Sequence, residues 1–295
     1  MRIFAQAPGR LSLFGGGTDI PPYKNGFVIN MTINLHSKLI LFTDDDLYIN
    51  NKFPYNADPK LFYNILEEFG LGGMHHAKIE STSDAFIKSG LGTSGSAGVA
   101  LIKAIDKYES LRMTREEIAE KAFEIESKLW ICGKQDIYAS VYGGMNMFMF
   151  GNNVKITPIE RNIAENIKKH LFLFYIDGEK QQQPKSLTNL DKIKEIALEA
   201  TKYLNAPQKI GELLNKSWEY KKKSNSHVSN KKIDSIYKLG MEAGAWGGKI
   251  CGSGGGGYMI FMTDNHDKLV KGLKVKGIEE VDFDIDYQGV EARIL

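Results

Sequence analysis

A glycine- and hydroxyl-rich loop that opens directly into a helix is the feature that most constrains the fold of this 295-residue chain. The loop, residues 89–96, reads Ser-Gly-Leu-Gly-Thr-Ser-Gly-Ser. Apolar Ala97, Leu101 and Ala104 follow at helical spacing, and the pattern predicts a helix over about residues 91–109. Such a loop gathers free backbone N–H groups at the positive end of the helix dipole, where phosphate groups bind. A plain serine-capped helix is the other interpretation.

The familiar nucleotide-binding and nucleophile motifs fit this loop poorly. A Walker A loop requires lysine after the last glycine, but Gly95 is followed by Ser96. The spacing of Gly90, Gly92 and Gly95 matches a dinucleotide site, yet residues 84–89 make a poor strand-to-helix turn, so a nicotinamide-binding protein is a distant alternative. A nucleophile elbow would need glycine at position 96. The residues therefore predict a phosphate cradle of another kind.

The overall composition favours a small-molecule ligand. The chain has 38 basic and 36 acidic residues and a formal net charge of +2, so no basic surplus indicates a nucleic-acid partner. Its cysteines, Cys132 and Cys251, form neither a disulfide framework nor a metal-ligand spacing, which predicts a cytoplasmic location. The first residues lack the apolar core of a signal peptide, and no apolar run is long enough to span a membrane. We therefore expect no membrane partner.

A second glycine cluster lies near the N-terminus, where residues 15–19 read Gly-Gly-Gly-Thr-Asp. Glycines permit positive φ angles and the close approach of a ligand to the backbone. Arg10 and Asp19 flank the cluster, and a cation with a carboxylate could bind a polyol. A plain turn capped by Asp19 explains the same residues equally well.

A third glycine cluster covers residues 252–257, and Gly252, Gly254 and Gly257 again match the dinucleotide spacing. An apolar strand follows these glycines, whereas a dinucleotide site needs a helix there. Consecutive glycines before a buried strand instead suggest that the backbone comes close to a ligand or to another loop.

Two acidic residues are candidates for chemistry. Glu126 lies on the apolar face of a helix that begins at the capping box of Thr114 and Glu117 and extends to about Lys128. A buried carboxylate needs a partner, and a bound cation or a lysine would serve. Asp136 begins a helix of small residues, where the helix dipole favours a carboxylate and where a plain N-cap is the other interpretation.

The remaining patterns predict alternating strands and helices, with a domain boundary after the turn at residues 151–153. We place the first domain at residues 1–155 and the second at residues 156–295. The lysine-rich segment 221–232 is predicted to be a solvated connection, or else a segment that attracts phosphate. The predicted strands are residues 2–7, 11–14, 27–35, 38–43, 76–81, 145–150 and 170–176, and the further predicted helices are residues 59–70, 187–205, 207–223 and 233–244.

Three segments in one order carry a resemblance to a known family. They are residues 8–19, which contain Pro-Gly-Arg and Gly-Gly-Gly-Thr-Asp, then residues 89–97, then residues 249–257. This arrangement resembles the GHMP small-molecule kinases and runs across almost the whole chain. The segments Gly-Gly-Gly-Thr-Asp-Ile-Pro-Pro-Tyr and Gly133-Lys-Gln-Asp-Ile-Tyr look most like the D-glycero-D-manno-heptose 7-phosphate kinases and their fucokinase relatives.

The resemblance implies an α+β fold of two domains with the active site between them, and ATP and Mg²⁺ as cofactors. Phosphoryl transfer needs donors for the phosphates, a metal ion to neutralise charge and a group that orients the attacking oxygen. By resemblance, Asp136 and Arg10 are catalytic, and Ser94 and Glu126 hold the metal. The implied ATP-binding residues are Ser89, Gly90, Leu91, Gly92, Thr93, Ser94, Gly95 and Ser96. The implied substrate-binding residues are Gly16, Gly17, Thr18, Asp19, Gly254 and Gly255.

The function implied is transfer of the γ-phosphoryl group of ATP to a hydroxyl, the anomeric one, of a sugar or sugar phosphate. A kinase for another small alcohol such as mevalonate is an alternative, and so is a sugar sensor without catalysis. Retention of Ser94, Glu126 and Asp136 argues against the sensor, which has no need of all three. Formation of a homodimer is left open.

Overall fold

The computed structural model describes residues 1–43, 58–71, 77–86, 90–176 and 189–295. Within these ranges it contains two antiparallel sheets with helices packed on them. No helix among them is long and apolar enough to cross a membrane. The strands are β1 Arg2–Phe14, β2 Gly26–Thr43, β3 Ala77–Ser83, β4 Met145–Phe150, β5 Val154–Pro158, β6 Leu171–Ile176, β7 Gly247–Ile250, β8 Gly257–Met262, β9 Glu279–Val281 and β10 Glu291–Ile294. The helices are α1 Pro59–Glu68, α2 Thr93–Glu109, α3 Arg115–Leu129, α4 Gln135–Tyr142, α5 Arg161–Lys168, α6 Leu190–Ala200, α7 Pro207–Ser224, α8 Lys231–Glu242 and α9 His266–Lys274.

The larger sheet has the strand order β10-β1-β2-β4-β5, and β3 also pairs with β2. The prediction that both long strands are interrupted was wrong, since β1 and β2 each run without a break. Proline at position 8 does not end β1, because the pairing with β2 shifts register between Pro8 and Gly9. The predicted start of β3 at His76 lies outside the described residues.

The smaller sheet has the strand order β7-β8-β6-β9, and β8 is buried along its whole length. Helix α7 packs on β7, and α8 packs on α9. One cluster of buried apolar residues contains side chains from both sheets, including Leu11 and Ile29 from the larger and Leu173 and Ile260 from the smaller. This shared core fixes the end of β1 against the smaller sheet.

The local capping signals explain where several helices begin. The capping box of Thr114 and Glu117 is present and begins α3, as predicted. Helix α2 begins at Thr93 rather than near residue 91, because Gly90 and Gly92 have positive φ angles of 98° and 76° and cannot continue a right-handed helix. The helix predicted from residue 187 is α6 followed by a 3₁₀ turn at Thr201–Tyr203, and residues 187 and 188 lie outside the described residues.

The connection predicted over residues 221–232 is shorter in the structure, because helices extend into both of its ends. Residues 221–224 form the last turn of α7, and residues 231 and 232 begin α8. A short 3₁₀ turn at Ser226–Val228 lies between them, and Val228 is buried. Lysine side chains can bury their apolar stems, so a run of lysines in the sequence does not by itself show an unstructured connection.

The two halves of the chain are interleaved in the larger sheet. Strand β5 spans the predicted boundary at residues 155 and 156 and pairs with β4. At the other end of the chain, β10 pairs with β1, and an isolated bridge joins Ile33 to Ile285. The C-terminal segment thus returns to the larger sheet.

Candidate active site

Arg10, in β1, is buried and joins two of the predicted site segments. Its Nε and Nη2 atoms lie 2.9 and 2.7 Å from Oδ1 of Asp136. Its Nη1 atom donates to the carbonyl of Gly90, and its backbone N–H donates to the carbonyl of Leu91 at 2.8 Å. The Asp136 side chain is 33% exposed. Asp136 therefore presents a solvent-accessible carboxylate beside a fixed positive charge.

Asp136 lies in the first turn of α4, one residue after the helix begins, and the N-cap position is Lys134. The interpretation of Asp136 as a plain N-cap was therefore wrong. The phosphate loop packs directly on this residue, since a Cβ added at Gly92 or Gly95 would lie 3.2 Å from the Cβ of Asp136. Glycine at these two positions lets the first turn of α2 approach the carboxylate closely.

In the phosphate loop, the side chains of Leu91 and Ser96 are buried. Ser96 is fully buried, and its Oγ is 2.7 Å from Oγ of Ser37 and 3.2 Å from the carbonyl of Thr93. Leu91 is also buried, within the apolar core. Because both side chains are buried, only backbone atoms of Leu91 and Ser96 can bind a phosphate group there. Ser89, predicted to bind ATP, lies outside the described residues.

The predicted metal ligands Ser94 and Glu126 lie together. Oγ of Ser94 donates to Oε1 of Glu126 at 3.3 Å, and the same oxygen accepts from Nε1 of Trp130 at 2.9 Å. The Glu126 side chain belongs to α3 and is only 7% exposed. Across the described ranges, no group of three or more His, Cys, Asp or Glu side chains could hold a metal ion. One carboxylate and one hydroxyl suit Mg²⁺ when substrate phosphates and water complete its coordination.

Asp19 is 6% exposed and accepts three hydrogen bonds. Its Oδ1 accepts from Nε2 of Gln135 at 2.9 Å and from the backbone of Gly17 at 3.2 Å, and its Oδ2 accepts from the backbone of Gln135 at 3.1 Å. Burial, and then the nearby charge of Asp136, raise the pKa of Asp19 to about 6. The carboxylate thus joins the N-terminal glycine turn to the start of α4.

The rest of the N-terminal turn is held by its own residues. Oγ1 of Thr18 donates to the carbonyl of Gly15 at 2.8 Å, and the same atom accepts from the backbone of Phe27 at 3.1 Å. Gly16 and Gly17 are partly exposed, and a Cβ at Gly16 would lie 2.8 Å from Oγ of Ser12. The two glycines therefore expose backbone, whereas the Thr18 hydroxyl is used within the turn.

The third glycine segment divides into two parts. Gly254 and Gly255 pack on the 3₁₀ turn before α8, since Gly255 donates to the carbonyl of Val228 at 3.0 Å and a Cβ at Gly254 would lie 2.7 Å from Cα of Val228. The start of the segment instead faces β1: Nζ of Lys249 donates to the carbonyls of Ser12 and Leu13 at 2.8 and 3.1 Å. The predicted contact with another loop is thus present at Val228.

Comparison with known proteins agrees with this arrangement. The family model for the N-terminal domain of GHMP kinases matches residues 60–144, and the model for the C-terminal domain matches residues 200–273. A D-glycero-alpha-D-manno-heptose 7-phosphate kinase from Campylobacter jejuni is 32% identical, and the match covers 98% of this chain and 98% of that kinase. A mevalonate kinase from Methanocaldococcus jannaschii is 27% identical over 95% of this chain and 97% of its own.

The chain belongs to the GHMP kinase family. The crystal structure of a D-glycero-D-manno-heptose 1-phosphate kinase from Bacteroides thetaiotaomicron has the same fold, with a TM-score of 0.79, 24% identity and 99% coverage of both chains. The expected α+β fold of the family is confirmed. As a member of this family the protein is an ATP-dependent kinase.

The structure of this GHMP kinase also points to polar residues that the motifs did not single out. Oγ of Ser12, Oδ1 of Asn30 and Oε1 of Gln135 are buried without a hydrogen-bond partner in the part of the chain that the structure describes. Ser12 and Gln135 border the N-terminal turn, near Gly16. In the sequence, only the position of Gln135 beside Asp136 in the Gly-Lys-Gln-Asp segment could have indicated that Gln135 belongs to the site.

Proposed function

We propose that this GHMP kinase transfers the γ-phosphoryl group of ATP to the anomeric hydroxyl of a sugar phosphate, with D-glycero-D-manno-heptose 7-phosphate as the first acceptor to test. The single observation that supports this most is the Arg10–Asp136 pair, which lies against the phosphate loop at Gly90 and Gly92. The acceptor is suggested by the heptose 7-phosphate kinase that is 32% identical over nearly the whole chain.

In the proposed reaction, an acceptor hydroxyl attacks the γ-phosphorus while the bond from that phosphorus to the bridging oxygen of ADP breaks. The hydroxyl proton passes to Asp136, whose carboxylate is exposed enough to reach it. The Arg10 guanidinium holds the carboxylate by Oδ1 and offsets negative charge on the transferred group. Asp136 thus orients or deprotonates the nucleophile, and Arg10 fixes Asp136.

Mg²⁺ is the metal that this site would use. The hydroxyl of Ser94, in the first turn of α2, and the carboxylate of Glu126, in α3, lie 3.3 Å apart and are the hard oxygen ligands that Mg²⁺ prefers. The ion, when bound with ATP, would neutralise phosphate charge. The backbone N–H groups at residues 92–95 would bind the phosphates themselves.

The acceptor would bind at the N-terminal turn. Gly16 and Gly17 expose backbone there, and Asp19 lies beside them with an ionised carboxyl above pH 6. A carboxylate can accept hydrogen bonds from two adjacent sugar hydroxyls at once. Because Asp19 is 6% exposed, we propose that the sugar reaches it after Gln135 releases one of its hydrogen bonds. Gly254 and Gly255 are proposed to close this region from the second half of the chain.

Several coarser features belong to the same proposal. We place the division between the two domains near residues 155 and 156, with β10 returning to the first domain. A reducing cytoplasm suits Cys132 and Cys251, which are not joined by a disulfide. The partners are ATP and one sugar phosphate, and a homodimer is left open.

An ADP-release assay across free sugars, sugar phosphates and mevalonate tests the proposal. We expect turnover with sugar phosphates and, above all, with heptose 7-phosphate. A mevalonate kinase 27% identical to this chain supports mevalonate as the second candidate, which the same panel decides. Binding of sugar without ADP release in the presence of ATP and Mg²⁺ would instead support a non-catalytic sensor. Asp136→Asn serves as the negative control for contaminating kinases.

A further inference from the structure

Two lysines at the start of the third glycine segment have carbonyl oxygens as their hydrogen-bond partners. Lys249, in β7, is 4% exposed, and its Nζ donates to the carbonyls of Ser12 and Leu13. Lys221, in the last turn of α7, donates from Nζ to the carbonyl of Gly252. Within the described ranges, neither lysine forms an ion pair with a carboxylate. The neutral carbonyls accept hydrogen bonds from the two ammonium groups, but they do not compensate the positive charges of those groups.

These two ammonium groups lie close enough to each other and to Arg10 to repel. Burial, together with the charge of Arg10, lowers the pKa of Lys221 to about 8. Burial and then the charge of Lys221 lower the pKa of Lys249 to about 7. Cys251, which follows β7 directly, raises the pKa of both lysines and so acts in the opposite direction. Arg10 and these two lysines, when protonated, make a positive region beside the Asp136 carboxylate.

The positive region lies beside the groups that handle phosphate. Arg10 contacts both Asp136 and the carbonyl of Gly90 in the phosphate loop. Ser12, whose carbonyl binds Lys249, has a buried Oγ without a partner among the described residues. An anion that enters here would meet positive charge from three side chains and a hydroxyl donor at the same place.

We propose that Lys221, Lys249 and Arg10 form an anion subsite that binds phosphoryl oxygens at the start of the third glycine segment. The proposal rests on the proposed function for the identity of the anion. Lys221 is the residue that contacts it, because its side chain is partly exposed, whereas Lys249 is buried and positions the region. The phosphoryl group is either the one in transfer from ATP or the one that a sugar phosphate already carries.

Binding of inorganic pyrophosphate to the whole protein, followed by calorimetry, tests the subsite without any turnover. We expect Lys221→Met to weaken binding about tenfold or more, because a hydrogen bond to a charged group is lost. Lys221→Arg should retain most of the affinity. Lys223→Met is the matched control, since Lys223 is an exposed lysine of the same helix that lies over the ring of Tyr220. Equal affinity in Lys221→Met and Lys223→Met would overturn the proposal.

A second measurement needs no variant. Sulfate does not bind a proton at pH 8, so any proton taken up from the buffer when it binds is bound by the protein. An anion beside Lys221 and Lys249 raises their pKa values, and we expect net proton uptake, measured by calorimetry in two buffers of different ionisation enthalpy. The charged and titratable groups that act on these lysines are Arg10, Cys251 and, for Lys249, Lys221. Sulfate binding without proton uptake would contradict the proposal.

Kinetics then separate the two sources of the phosphoryl group. If the subsite binds the group in transfer, Lys221→Met lowers kcat with both free and phosphorylated sugars. If it binds the acceptor's own phosphate, KM rises for the sugar phosphate and stays unchanged for the free sugar. A wild-type protein that phosphorylates no sugar would refute the proposed function, yet the pyrophosphate comparison would still decide the subsite.

Discussion

The raised pKa of Asp19 predicts a cost in stability that depends on pH. Burial and the charge of Asp136 raise this pKa from 3.8 to about 6, a shift of about 2 units. Each unit corresponds to about 1.4 kcal/mol, so the ionised carboxylate destabilises the fold by about 3 kcal/mol. The native state holds the proton more tightly than the unfolded state. Stability is therefore lost as pH rises from about 4 to 6, and the full cost is present above pH 6.

The variant Asp19→Asn isolates this effect. Asparagine keeps an oxygen for the donors from Gly17 and Gln135, but its amide faces the backbone N–H of Gln135, which carries a fixed cost of its own. That fixed cost does not change with pH. The informative quantity is therefore the difference in free energy of unfolding between the variant and the wild type, followed across pH.

Urea unfolding between pH 4 and 7 measures that difference. Between pH 5 and 7 we expect it to shift by about 1 kcal/mol in favour of Asp19→Asn, because the wild type alone acquires the buried charge. The exposed Asp264→Asn is the control, and its difference from the wild type should stay constant. A pH-independent difference for Asp19→Asn would refute the reasoning, because the folded protein would then not raise the pKa of Asp19.

The other predictions concern activity. Asp136→Asn should lower kcat about 10²–10⁴-fold with nucleotide affinity nearly unchanged, and near-normal turnover in a folded variant would remove its catalytic role. Ser94→Ala and Glu126→Gln should each raise the Mg²⁺ concentration for half-maximal rate, about tenfold, because each removes a ligand or its neighbour; unchanged dependence in both would exclude the metal site. Asp19→Ala should raise KM for the sugar more than KM for ATP, and equal changes would argue against its sugar contact.

Much of the fold follows from local signals in the sequence. The capping box at Thr114 begins α3, and the apolar spacing after the phosphate loop gives α2. The continuity of β1 through Pro8 does not follow from local signals, because a register shift against β2 absorbs the proline. The pairing of β10 with β1 joins the two ends of the chain and depends on tertiary packing.

The candidate site, too, could be predicted only in part from the sequence. The positions of Arg10 and Asp136 were expected from the family motifs, and the structure brings them within 2.7 Å. Lys221 was predicted to be solvated because it stands in a run of lysines. In the structure its side chain is partly exposed and its Nζ donates to the carbonyl of Gly252, a residue distant in sequence, and composition carries no sign of that contact. Lys249 was named within the third segment, but its contacts with Ser12 and Leu13 were not foreseen.

Phosphorus NMR of the reaction product tests the central claim most directly. The purified protein is incubated with ATP, Mg²⁺ and D-glycero-D-manno-heptose 7-phosphate, with Asp136→Asn as the parallel control. We predict a second phosphate signal coupled to the anomeric proton, which appears with the wild type and is strongly reduced with the variant. A new signal coupled to a non-anomeric proton would contradict the proposed acceptor position, and no new signal with any sugar phosphate would contradict the proposed function itself.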